Sequence, residues 1–157
     1  VVRNLDEAVR WYRRLASQDL RWPDLHPLVN KAQFVLGELY EQGLGVPQDD
    51  EHAAAWFETA AGRNHGQAQL SLATMYLAER GIERYLARSL MWIDLAATRL
   101  VNDTDGVGRI TMMRDRLLRE MTDEEVLEAH CLWQLEHPEL TGVSTAEMHD
   151  LDLQCAE

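Results

Sequence analysis

No stretch of this chain approaches the roughly 18–20 consecutive apolar residues that a membrane-spanning helix needs. Cysteine is scarce: Cys131 and Cys155 are the only two. Their spacing suits neither a CxxC metal site nor a disulfide framework, and it leaves open whether they pair. Basic residues are missing from the last quarter, since none of the 15 Arg and Lys lies beyond Arg119 while residues 120–157 carry 11 acidic side chains. Nearly all of the net charge of −12 therefore sits at that end. Such a segment repels a phosphate backbone, which excludes nucleic acid as an expected partner. It reads as a solvated acidic end, with a docking patch for a basic partner as the alternative. The chain opens Val-Val-Arg, without an initiator Met or a signal-peptide pattern, so its first residues assign no compartment. A soluble protein of the cytoplasm or the periplasm is expected.

Catalytic signatures are absent too. None of the six histidines, His26, His52, His65, His130, His137 and His149, forms HExxH or pairs at zinc-ligand spacing. There is no GxSxG and no P-loop. His130 and Cys131 are neighbours on a helix and point about 100° apart, so they do not make a nucleophile pair. The GxG at residues 43–45 is helix-turn chemistry. The "DGVG" at 105–108 reads as a loop between helices, with no preceding strand to build a phosphate cradle. No enzyme activity, metal or cofactor is expected.

What the sequence does contain is a repeat. A shift of 36 positions aligns Ala32 with Ala68, Gln33 with Gln69, Leu36 with Leu72, Tyr40 with Tyr76 and Gly45 with Gly81. It also aligns Trp56 with Trp92, Ala60 with Ala96, Ala61 with Ala97 and Arg63 with Arg99. Each unit reads as two helices. In the first, Ala32, Leu36, Leu39 and Tyr40 recur at three- and four-residue spacing, one apolar face of a helix. Gly37 is small on that side and lets a second helix approach. Gly43 and Gly45 end the helix, because glycine accepts the left-handed backbone common at helix C-termini. Asp49 or Asp50 caps the second helix, which carries Ala53, Trp56, Phe57, Ala60 and Ala61, and Asn64 closes it.

Residues 6–16, "DEAVRWYRRLA", copy the second helix alone, with Ala8, Trp11, Tyr12 and Ala16 where Ala53, Trp56, Phe57 and Ala61 stand. Residue 1 therefore falls inside a repeat, which predicts a truncation or further repeats upstream. The shared position of Trp11, Trp56 and Trp92 predicts that all three are core residues. Residues 17–31 form a long connection, in which Pro27 suits the first turn of a helix and Trp22 is the candidate exposed aromatic. Residues 108–137 read as a capping helix pair, with Thr122 and Glu125 as a capping box and His137-Pro138 as its end. Residues 138–157 form an acidic tail, where Met148, Leu151 and Cys155 fall on one face of a short helix.

These residues resemble the Sel-one-like repeat family, a relative of the tetratricopeptide repeats. Residues 32–61 fit its pattern at Ala32, Leu36, Gly37, Tyr40, Gly43, Gly45, Val46, Asp49, Ala53, Trp56, Ala60 and Ala61. The second unit departs from it at Ala73, Glu79, Tyr85 and Ser89. The resemblance implies an all-α solenoid, a right-handed superhelix of antiparallel helix pairs whose first helices line a concave face. It implies a non-catalytic scaffold or adaptor that binds proteins or peptides, often in bacterial signalling, secretion, motility or cell-envelope processes. Some cysteine-rich members are associated with β-lactam binding or hydrolysis, and this chain lacks their paired-cysteine sequence pattern. By the tetratricopeptide analogy, the partner-binding residues are Lys31, Val35, Glu38, Glu41, Ser71 and Thr74. The alternative is a structural module that pairs with another copy, as a homo-oligomer, through its open repeat end or its C-terminal tail.

Overall fold

Helix-end chemistry sets out most of the architecture. The computed structural model describes residues 5–17 and 25–136. They form α1 (Leu5–Ala16), α2 (His26–Gln42), α3 (Asp50–Ala61), α4 (Gly66–Ala78), α5 (Leu86–Arg99), α6 (Thr104–Glu120) and α7 (Asp123–Glu136), with no strand among the described residues. Gly43 closes α2 in the left-handed region at φ 68°, and its N–H returns to the Leu39 carbonyl. Glu79 takes the same conformation, φ 55°, at the equivalent end of α4, a cost of roughly 1–2 kcal/mol that glycine avoids. Asp49 caps α3 by accepting from the His52 N–H at 2.9 Å, and that bond holds its carboxyl below the usual range. Asn64 is left-handed just past α3, as its role in closing that helix requires. The capping box forms: the Thr122 N–H donates to Glu125 Oε2 at 2.8 Å, and the Glu125 N–H to Thr122 Oγ1 at 3.3 Å.

Two boundaries differ from the sequence reading. The helix α2 begins at His26, with Pro27 in its first turn, inside the segment read as connection. The stretch 105–108 is helical rather than a loop. Asp103 accepts from the Gly106 N–H at 3.1 Å and starts α6 at Thr104, so the two glycines fall in the first turns of a capped helix.

The hairpins α2–α3 and α4–α5 pack most closely within themselves, and α3 packs on α4 as α1 packs on α2. A Cβ on Gly37 would lie 2.4 Å from the Phe57 ring, which explains the small residue facing α3. Between units two contacts repeat. A Cβ on Gly45 would lie 2.6 Å from the backbone of Leu5, at the start of α1. One on Gly81 would lie 2.2 Å from the backbone of Asp50, at the start of α3. Gln33 and Gln69, both buried, donate to the carbonyls of Ala16 (3.3 Å) and Ala61 (3.1 Å), the corresponding last residues of α1 and α3. Each unit therefore rests on both ends of the preceding second helix.

The closing helices are less regular than a capping pair. The helix α5 packs on both α6 and α7, more extensively on α7. Val126, Ala129, Leu132 and Trp133 join the main core. Trp92 is 4% exposed and Trp56 half-buried, but Trp11, expected in the core, is 61% exposed. Trp56 packs against the cluster that includes Val9, Ala16, Ala32 and Leu36, whereas Trp11 belongs to neither core cluster. Trp22, the His137-Pro138 stop and the tail from 138 lie outside the described residues.

The turn contacts generate a direct test. Gly81→Ala must hold a left-handed backbone and press a methyl group into Asp50, so it should lose about 3 kcal/mol or more in urea denaturation. Gly108→Ala, in α6 with nothing within 4 Å of its Cβ, should gain about 0.5–1 kcal/mol. Equal effects from the two changes would contradict the turn packing described here.

Candidate functional site

Helical spacing puts Lys31, Val35 and Glu38 along one side of α2, and Ser71 and Thr74 occupy the positions of Val35 and Glu38 on α4. Because α3 packs on both helices, the two carry corresponding stripes one repeat apart. Lys31 is exposed; Val35, Glu38, Glu41, Ser71 and Thr74 are half-buried. Val35 also packs against the α1–α2 cluster. The Thr74 hydroxyl donates to the Leu70 carbonyl at 2.9 Å, a bond within its own helix.

The charges do not act as one set. Burial, and then repulsion from Glu41, holds the Glu38 carboxyl above the usual carboxylate range. Glu41 is itself paired: Arg80 Nη1 donates to its Oε1 at 3.0 Å. The same guanidinium donates to Asp50 from Nε at 3.2 Å and from Nη2 at 2.8 Å. These bonds, those to Asp50 first, raise its pKa above the ordinary arginine value. Arg80 thereby ties the second turn to α3 and to the end of α2, and Glu41 is part of that clamp. Lys31 lies at the other end of α2, near His65.

His65 is a site that sequence reasoning missed. Its Nδ1 accepts from the Ala68 N–H at 3.3 Å and caps α4, and its ring stacks on Phe34 with centroids 4.6 Å apart. Burial lowers its pKa, and the charge of Lys31 adds to the effect. Histidine is not among the usual capping residues, so no local signal marked it; nor did spacing reveal a clamp between residues 30 and 39 apart. At the turn of the first unit, Tyr40 stacks on His52 at 5.1 Å and its hydroxyl accepts from Arg13 of α1. At the second turn, an open pocket of about 500 Å³ is lined by Tyr76, Ile82, Glu83, Arg84, Tyr85 and Arg88. Arg84 pairs with Glu120 at 3.0 Å, and Tyr85 donates to Glu128 of α7.

Among the described residues, no group of three or more His, Cys, Asp and Glu side chains is placed to hold a metal. No helix there is long and apolar enough to cross a membrane. Cys131 is disulfide-bonded, which removes the thiol that a pair with His130 would need; Cys155 lies outside the described residues.

Stacked hairpins that align polar stripes from successive first helices define a helical-repeat solenoid, an architecture commonly used as a scaffold for protein interactions. The Sel1 repeat model matches residues 1–20, 30–65 and 66–99, more than half of the chain, and the protein belongs to that family. It is similar to the chitin synthase regulator SKT5 of Saccharomyces cerevisiae, 38% identical over 63 residues, which are 40% of this chain and 8% of the yeast protein. It is also similar to c5321, a protective antigen of uropathogenic Escherichia coli with an SLR fold: TM-score 0.69, 28% identity, 93% of this chain and 28% of that one. A Sel1 repeat protein of Oxalobacter formigenes matches at TM-score 0.49 and 22% identity, over 99% of this chain and 68% of that one. The chain thus spans about a quarter of the length of the antigen and less than a tenth of the yeast regulator.

The His65 cap makes stability depend on pH. Its folded pKa is lowered, so the unfolded chain takes up the proton first as pH falls below about 6.5. The cap's contribution is complete above that pH and is lost as pH falls through the lower folded value. His65→Asn keeps a capping side chain without the titration. The wild type should therefore lose more stability than this variant between pH 7.5 and 5.5, and equal losses in thermal melts would remove His65 as the cause.

Proposed function

We propose that this chain is a non-catalytic module that binds a protein or peptide along a concave face formed by α2 and α4. Lys31, Val35, Glu38, Ser71 and Thr74 are the contact residues, and Glu41 acts at the rim through its pairing with Arg80. The observation that carries this reading is the correspondence of the two stripes, 36 residues apart on helices held in fixed order. Side chains fixed in that way need little further ordering on binding, which conserves affinity. Glu38 favours a partner that brings a positive group, because its carboxyl lies half-buried beside a second acid. The likeness to a protein named as a regulator of chitin synthase supports a role exerted through another protein.

The test compares partners captured by the wild type and by a variant with alanine at Lys31, Glu38, Ser71 and Thr74, both checked by circular dichroism for unchanged helix content. A partner retained by the wild type and weakened at least about tenfold in the variant supports this face. Identical binding by a folded variant overturns it.

A further inference from the structure

The helix α6 follows the matched repeats, which end at residue 99, and it is thinly covered. It packs chiefly on α5, and only Gly106, Ile110 and Leu117 of its 17 residues are buried. The side turned away from them carries Asp105, Gly108, Met112, Asp115 and Arg119 at three- and four-residue spacing, one continuous stripe with Arg109 beside it. All six are exposed, Met112 at 68%. The charges on this side change sign about Met112. Asp105 and Arg119 stand seven residues before and after it, and Arg109 and Asp115 stand three before and three after. The same spacing allows Asp105 to pair with Arg109, and Asp115 with Arg119, inside the helix. Neither pair forms among the described residues, whereas Arg114 and Arg116 of the same helix are both ion-paired.

A helix laid antiparallel on its own copy, with the two-fold axis at Met112, sets each residue opposite the one equally far on the other side. Asp105 then meets Arg119, Arg109 meets Asp115, and the two Met112 side chains meet on the axis. Gly108, with nothing within 4 Å of its Cβ, leaves room for Arg116 of the other copy. A parallel, in-register pairing would instead set every charge against itself. We propose that the exposed side of α6 is a self-complementary surface through which two copies of this chain form an antiparallel, two-fold dimer. The pairing runs through α6, not through the repeat end or the tail. A contact that is its own complement closes at two copies. One helix face falls below the roughly 1,200 Å² of a standard stable interface, so the dimer is weak and reversible. It shares no residue with the α2–α4 face, and neither proposal depends on the other.

The test is sedimentation equilibrium of the 157-residue chain at concentrations up to about 1 mM, in low and high salt. Expected is a monomer–dimer equilibrium that grows no further and weakens with salt. One variant, Arg109→Glu with Arg119→Glu, sets acid against acid in the dimer. Another, Asp105→Lys with Asp115→Lys, sets base against base. Each alone should dimerise at least about tenfold more weakly, with helix content unchanged by circular dichroism. Mixed in equal amounts they bring opposite charges together at every position and should recover dimerisation. Met112→Cys, at the axis, should form a disulfide-linked dimer under mild oxidation much faster than Arg119→Cys, whose copies lie roughly 21 Å apart along the helix. That cross-link changes no charge, so it decides the matter even where a reversed charge unsettles α6. A wild type that stays monomeric throughout, variants that dimerise as the wild type does, or a mixture without recovery would overturn the proposal. So would cross-linking at residue 119 as fast as at 112.

Discussion

Two left-handed glycines, Gly45 and Gly81, set how each hairpin lies on the one before it. Their backbones run against the first residues of α1 and α3 at distances that admit no side chain. The buried glutamines Gln33 and Gln69 grip the last carbonyls of the same helices. A second helix is therefore held at both ends by the next unit, once by close packing and once by a hydrogen bond. Losing either leaves backbone polar groups or apolar surface without a partner, a cost of order 1–3 kcal/mol for an unsatisfied buried group. The stripes on α2 and α4 correspond because this double grip fixes the step from one unit to the next.

Charge is used for structure at one point and is left less compensated at another. Arg80 joins the second turn to Asp50 and Glu41, three groups from three segments. It is partly exposed, so the energy it contributes is screened and modest; its value lies in fixing the turn. Glu38, one turn before Glu41 on the same helix, lies outside that clamp, and burial with the nearby Glu41 charge makes it take up a proton more readily than usual. That contrast is the reason Glu41 is proposed at the rim and Glu38 on the contact face.

Local chemistry was legible in the sequence wherever it depended on a few neighbouring residues. The 36-residue repeat, the Asp49 cap, the Thr122–Glu125 box and the place of Pro27 follow from spacing and backbone preference. What escaped was nonlocal or ran against composition. Gly106 and Gly108 suggested a loop, yet the Asp103 cap outweighed them. Trp11 shared a repeat position with the buried Trp92 and the half-buried Trp56, but burial depends on a neighbouring helix and a repeat position does not supply one. The Arg80 clamp and the His65 stack join segments that only the folded chain brings together. For the candidate face, the sequence supplied the stripe positions, while the pairing of Glu41 with Arg80 and the burial of Glu38 needed the fold.

Each turn glycine seats on the start of the preceding second helix. The direct measurement is the set of nuclear Overhauser contacts from the α-protons of Gly81 and Gly45 in the intact chain. Strong contacts from Gly81 to the Glu51 amide and from Gly45 to the Leu5 backbone are predicted, since a Cβ at Gly81 would fall 2.6 Å from the Glu51 nitrogen. Glycine α-protons that contact only their own turns would contradict the stacking, and with it the fixed correspondence of the stripes on α2 and α4.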